Sequence, residues 1–223
     1  MSDKKYALIV AGGSGSRMGS MAPKQFMEIN GNPLWMYTFE AFVQYDAHCE
    51  FILVLPKSQM ETWKNLCKEH SFQINHQIVA GGSTRFHSVK NGLSHIQEEG
   101  IVFIHDGVRP LVTQQTIENC YKTAGEKGNA LPVFAPPESI RQVSGEKNMA
   151  VSRERFYLVQ TPQTFRVSLI KKAYQKRYAR KFTDDASVLE STGTTINLVE
   201  GNRENIKITW PADLKIAAAL LKK

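Results

Sequence analysis

The chain has 223 residues, 42% apolar and 22% charged, an ordinary globular mix that excludes disordered, collagen-like and coiled-coil classes. Its 28 Lys and Arg against 21 Asp and Glu leave a formal charge of +7. That suits a polyanion, either nucleic acid or a nucleotide with a phosphorylated metabolite, or it serves solubility alone.

Lys4 and Lys5 precede a run of only six apolar residues, 6–11, and glycines follow at once, so no signal peptide is expected. No segment approaches the ~20 apolar residues of a membrane span. Cys49, Cys67 and Cys120 are far apart and form no CxxC pair, which fits buried thiols in a reducing compartment and argues against a zinc ribbon or disulfide framework. The expected location is cytoplasmic.

Residues 6–10 read as a strand buried on both faces, and 51–55 and 101–104 repeat the pattern. Further strands are expected at 130–134, 156–159, 196–199 and 206–208. Helical faces lie between them: Phe86, Val89, Leu93 and Ile96; Ile117, Cys120, Tyr121 and Ala124; Leu169, Ile170, Ala173 and Tyr174. A last helix should open at Pro211. This alternation predicts an α/β fold, Rossmann-like, with a mostly parallel twisted sheet, helices on both faces and ligands at the strand C-termini. Residues 135–152 break the rhythm, with Pro136-Pro137, Gly145 and mixed charge. They are either a surface loop or an arm that reaches a partner subunit.

Three segments carry candidate chemistry. After the first strand comes Ala11-Gly12-Gly13-Ser14-Gly15-Ser16-Arg17-Met18-Gly19. Glycines there let backbone N–H groups approach a phosphate. Met18 breaks a GxGxxG motif and no Gly-Lys-Ser/Thr follows, so neither the dinucleotide nor the Walker A pattern is met. Arg17, with Lys24 seven residues on, flanks the glycines in a way that suits a triphosphate, or the charges are incidental to a surface loop. Next, Gly81-Gly82-Ser83-Thr84-Arg85, with Ser88 beyond, opens a helix. Ser83 or Thr84 is a plain N-cap, or the helix start and its hydroxyls face a nucleotide. Third, His105-Asp106-Gly107-Val108-Arg109-Pro110 ends a strand. Asp106 there could hold Mg²⁺ and Arg109 could fork onto a phosphate, or the two pair with each other and shape the turn. His105 reads as a packed histidine rather than a base.

In this order, the three segments resemble the sugar-phosphate cytidylyltransferases. Gln160-Thr161-Pro162-Gln163, Thr183-Asp184-Asp185-Ala186-Ser187 and Asn205-Ile206-Lys207-Ile208-Thr209 extend the resemblance over nearly the whole chain. The resemblance implies a single nucleotidyltransferase domain over 1–223 that joins CTP to a sugar phosphate and releases pyrophosphate. Arg17, Lys24 and Lys207 would be catalytic. Ala11, Gly12, Gly13, Ser14, Gly15, Gly82, Ser83, Ser88 and Asp106 would bind the nucleotide, and Asp106, Arg109, Arg153 and Thr183 the acceptor. Asp106 would also meet Mg²⁺. Arg153 and residues 183–187 favour 2-C-methyl-D-erythritol 4-phosphate over ribitol 5-phosphate as acceptor. The 135–152 arm would make a homodimer. Neither nucleic acid nor membrane is an expected partner. The family often carries Asp or Glu where this chain has Ser83, which bears on base selectivity.

The residue types agree with such a transfer. A phosphate monoester, with a second pKa near ~6, is already a charged nucleophile and needs no general base. No Ser-His-Asp or Cys-His constellation is evident. The obstacle is repulsion between polyanions, which Arg, Lys and Mg²⁺ would offset.

Overall fold

The computed structural model describes residues 3–11 and 26–221. The Gly12, Gly13, Ser14, Gly15, Arg17 and Lys24 expectations therefore lie outside the described residues.

The centre of the molecule is an eight-stranded sheet. Strand β1 (Lys5–Val10) lies between β4 (Glu50–Leu55) and β6 (Ile101–Asp106), parallel to both, and β5 (His76–Ala80) runs parallel along β4. On the other side, β11 (Gln163–Arg166) runs antiparallel to β6 and to β7 (Asn129–Phe134). Strand β10 (Leu158–Val159) is antiparallel to β7, and β12 (Leu198–Glu200) is parallel to it. A minor two-stranded ribbon joins β2 (Glu28–Ile29) to β3 (Asn32–Pro33). In the main sheet all strands but β10 and β11 point the same way, so their C-termini share one edge.

Alternation along each strand feeds two cores. Leu8, Val10, Ile52, Val54 and Ile104 pack against α3 (Arg85–Ser94), α5 (Val167–Ala173) and α6 (Asp185–Glu190). Ala7, Ile9, Phe51, Leu53 and Phe103 pack on the opposite face against α1 (Leu34–Tyr45), α2 (Met60–Glu69) and α4 (Gln114–Lys127). The doubly wound α/β architecture expected from the alternation is therefore observed. The last helix, α7 (Pro211–Leu220), starts on proline as expected. No helix among the described residues is long and apolar enough to cross a membrane. Cys49 and Cys120 are buried, and burial pushes both thiols up to about 12. The half-buried Cys67 thiol is pushed up to about 11 for the same reason.

Two expected strands differ. Residues 206–208 form no strand. Ile208 is fully buried, and its N–H donates to the Val108 carbonyl at 3.0 Å outside any ladder. Of 156–159, only β10 pairs, because a one-turn 3-10 helix, Arg153–Arg155, occupies the approach and the segment lies at the exposed sheet margin.

Within residues 135–152 the chain forms a hairpin, β8 (Ile140–Ser144) with β9 (Lys147–Val151). Gly145 takes φ +57° at the two-residue tip, a conformation glycine adopts without steric cost. Every side chain from 141 to 150 is exposed, so the hairpin stands clear of the sheet.

Candidate functional site

The carboxyl ends of β1, β5 and β6 converge. Ala11, buried just past β1, donates its N–H to the Val54 carbonyl at 2.9 Å, and Gly81 donates to the Leu55 carbonyl at 2.8 Å. Gly81 and Gly82 then turn the chain into α3. Thr84 is the N-cap and accepts from the His87 N–H, which satisfies one of the helix's free donors. Ser88 is buried. Its Oγ accepts from the Gly82 N–H at 3.1 Å and donates to the Thr84 carbonyl at 3.0 Å, so the serine braces the turn. A Cβ on Gly82 would sit 2.3 Å from that of His87, which makes glycine obligatory there. Gly82 and Ser83 are exposed on the outer side of the turn.

At the end of β6 the Asp106 carboxylate meets three cations. Oδ2 lies 2.9 Å from Lys207 Nζ and 3.5 Å from Arg109 Nε, and Oδ1 lies 3.8 Å from Arg85 Nε. Burial alone would push this carboxyl up. Lys207, then Arg85, then Arg109 reverse that and hold it well below the usual carboxylate range. The Asp106–Arg109 pair that could shape the turn is present, and Lys207 and Arg85 join it.

His105 is fully buried behind this cluster. Its Nε2 is 3.0 Å from the Arg109 carbonyl, which can only accept, so Nε2 carries the proton. Nδ1 then accepts from the Thr161 hydroxyl at 3.1 Å, and that hydroxyl accepts from the Asp106 N–H. Burial pulls the imidazole down to about 4. It is a neutral brace for the Asp106–Arg109 turn, as the packed reading expects.

Lys207 sits on a loop without ladder partners, held by side-chain amides instead. Gln160 Nε2 donates to the Asn202 carbonyl and Asn205 Nδ2 to the Thr161 carbonyl, both at 2.8 Å. Arg109 Nη1 donates to the Asn205 carbonyl at 2.7 Å. Thr183 is exposed just ahead of α6, whose start carries a capping box between Asp184 and Ser187. Gln163 grips that start from both ends of its amide, donating to Asp184 Oδ2 at 2.9 Å and accepting from the Ala186 N–H at 2.8 Å.

Asp106, Arg109, Thr183 and Lys207, four of the expected residues, thus line one cleft of about 180 Å³. Arg153 does not join them within this chain. It is exposed at the foot of the hairpin, with Nη1 on the Pro137 carbonyl. The sequence reading gave no role to Arg85, Gln160 or Gln163, although its motifs contain all three. The spacing of a motif does not say which of its side chains turn inward.

Asp106 is a poor resident site for a bare divalent cation, because its charge is already met by three cations. Among the described residues no three His, Cys, Asp or Glu cluster as metal ligands.

A family model described as IspD, 2-C-methyl-D-erythritol 4-phosphate cytidylyltransferase, matches residues 6–223. The chain is 52% identical over 218 residues to a protein of that name from Bacteroides thetaiotaomicron, covering 98% of this chain and 100% of that one. Among solved structures, 2-C-methyl-D-erythritol 4-phosphate cytidylyltransferase from Thermus thermophilus superposes with TM-score 0.78 at 30% identity, covering 99% of this chain and 98% of that one. The 4-diphosphocytidyl-2C-methyl-D-erythritol synthase from Anaerococcus prevotii gives TM-score 0.82 at 25% identity, covering 99% of each chain.

Proposed function

The chain belongs to the 2-C-methyl-D-erythritol 4-phosphate cytidylyltransferases, and from that premise we propose how its residues divide the work. The reaction joins CTP and 2-C-methyl-D-erythritol 4-phosphate into 4-diphosphocytidyl-2-C-methyl-D-erythritol and pyrophosphate, a nucleotidyl transfer in isoprenoid precursor synthesis. An acceptor phosphate oxygen attacks the α-phosphorus in line as pyrophosphate leaves. The nucleophile needs no base, and His105, neutral and sealed in the core, offers none.

The observation that carries the assignment of roles is Lys207 Nζ against Asp106 Oδ2 at the strand C-termini. Asp106 aims the ammonium, and the lysine, half exposed, turns to the α-phosphate where charge develops. Arg109 and Thr183 face the acceptor phosphate from the same cleft, and Gly82, Ser83 and Ser88 form the nucleotide side.

Charge counting supports the remaining roles. Arg85 is offset by the buried Asp185, and Arg109 and Lys207 share the cleft with Asp106 and Asp184, so these six side chains carry no net charge. A triphosphate and a phosphate monoester need positive charge beyond that. Arg17 and Lys24, outside the described residues, are assigned to supply it at the reacting phosphates, with Gly12, Gly13, Ser14 and Gly15 donating backbone N–H groups. Mg²⁺ would come bound to the triphosphate and offset part of its charge, and Asp106, already met by three cations, would give it at most one oxygen.

The protein is assigned as one nucleotidyltransferase domain working in the cytoplasm as a homodimer. A two-stranded hairpin is marginal by itself. Here it exposes Val143 at 69% on one face and Met149 at 60% on the other, since Val143 lies opposite Asn148 and Met149 opposite Gln142, and Phe156, Tyr157 and Leu198 are exposed as well. A second copy that clasps the hairpin from both sides fits that pattern, and would bring Arg153 at the hairpin's foot toward the partner's acceptor.

Pyrophosphate release with CTP and Mg²⁺ tests the reading. Release with 2-C-methyl-D-erythritol 4-phosphate and none with ribitol 5-phosphate is expected. The reverse would overturn the acceptor, and silence with both would overturn the activity.

A further inference from the structure

Arg85 is the first residue of α3, yet its side chain leaves the nucleotide turn and crosses to α6. Nη1 and Nη2 fork onto the two oxygens of Asp185, at 2.7 and 2.6 Å. Asp185 is fully buried, and Tyr174 donates its hydroxyl to Oδ1 at 2.6 Å. The remaining guanidinium nitrogen, Nε, faces Asp106 Oδ1 at 3.8 Å. One planar group therefore touches the carboxylate that aims Lys207 and the residue two positions beyond Thr183.

The two ends of this bridge differ in what else supports them. The Gly81–Ser88 turn is closed by its own bonds: Gly81 to Leu55, Gly82 to Ser88, and Ser88 to Thr84. It does not need the Arg85 side chain. The start of α6, a helix of only six residues, is held from outside by Gln163 and by the Arg85 fork. α6 stays anchored by Val188 and Leu189 in the core, so loss of the fork should loosen only its start and Thr183 while sparing the nucleotide turn.

We infer that Arg85, fixed by Asp185 and Tyr174, is a positioning residue that sets Thr183 and the Asp106 carboxylate relative to each other and so governs acceptor placement. It acts through Thr183 and Asp106 and is not itself a catalytic residue. A bidentate fork is directional, and lysine cannot reproduce it. The inference rests on the acceptor reading above, deepening it to the level of one side chain.

The experiment compares R85K with wild type in pyrophosphate release, titrating each substrate separately, and follows thermal unfolding. Wild-type turnover with 2-C-methyl-D-erythritol 4-phosphate must be present first; its absence refutes the functional reading rather than this one. Expected for R85K is an acceptor KM raised about tenfold or more and a lowered kcat, with the CTP KM within about twofold. Because lysine could leave Asp185 poorly paired and lower stability, a second variant, R85M/Y174F/D185L, replaces the whole buried set with apolar groups. Such replacements are often neutral for folding. A folded triple variant with a high acceptor KM supports positioning. Wild-type kinetics in either folded variant, or equal rises in both KM values, would overturn it.

Discussion

Lys207→Met separates catalysis from stability, because the two effects differ in size. The variant keeps the apolar stem and removes the ammonium 2.9 Å from Asp106 Oδ2. At an effective dielectric of ~20 a unit pair at that distance interacts by about 6 kcal/mol. Lys207's side chain is 43% exposed, however, so solvent screening and side-chain entropy reduce its net contribution to folding to about 1 kcal/mol. Arg109 and Arg85 still face Asp106, which leaves that carboxylate paired. The unfolding midpoint should fall by only about 2–4 °C for a chain of this length. In the transition state the ammonium faces charge that is absent from the ground state. Removal of one such donor costs roughly 3–4 kcal/mol, or 10²–10³ in kcat. Coupled pyrophosphate release under saturating CTP and acceptor measures kcat, and scanning calorimetry measures the midpoint. A folded variant with kcat within about threefold of wild type would remove Lys207 from the chemistry. A collapse of the midpoint with kcat intact would make Lys207–Asp106 a structural pair.

Other outcomes follow from the same geometry. Lys24→Ala and Arg17→Ala should each lower turnover by about 10²-fold while CTP still binds by calorimetric titration; near-normal turnover would remove that residue from the mechanism. Folding should depend on pH through His105, whose pKa of about 4 in the fold lies below its ordinary 6.5. The unfolded chain then binds the extra proton, so this stability is complete above about pH 6.5 and is lost on acidification through about pH 4, roughly 3 kcal/mol in all. His105→Gln should flatten the slope of unfolding free energy against pH in that window, and an unchanged slope would refute the assignment. Asp106 acts in a separate window: its lowered pKa adds stability above the ordinary carboxylate range that is lost only below it. V143D/M149D on the hairpin should shift the protein to monomer mass in light scattering, and Arg153→Ala should raise the acceptor KM more than the CTP KM. A wild-type monomer would refute the first, and equal fold-changes in the two KM values the second.

The local layers of the structure were legible in the amino-acid sequence. Strands β1, β4 and β6 are unbroken apolar runs because both their faces are covered, and α3 and α4 show three-and-four spacing because each buries one stripe. The cap at Thr84 and the proline start of α7 are signals written within a few residues. The hairpin at 135–152 was visible only as a break in rhythm, since alternation cannot mark a face when neither face is covered.

Tertiary structure decided what depends on distant partners. Residues 206–208 look like a strand, yet Ile208 buries itself on Val108 and amides from Gln160 and Asn205 hold the loop. The antiparallel insertion of β11 between β6 and β7 leaves no periodic trace. Arg85 reaches Asp185 across 100 residues of sequence, and Lys207 reaches Asp106 across a similar span. Side-chain period reports which face of an element is buried, whereas the direction of a charged side chain is set by whichever opposite charge the finished packing leaves within reach.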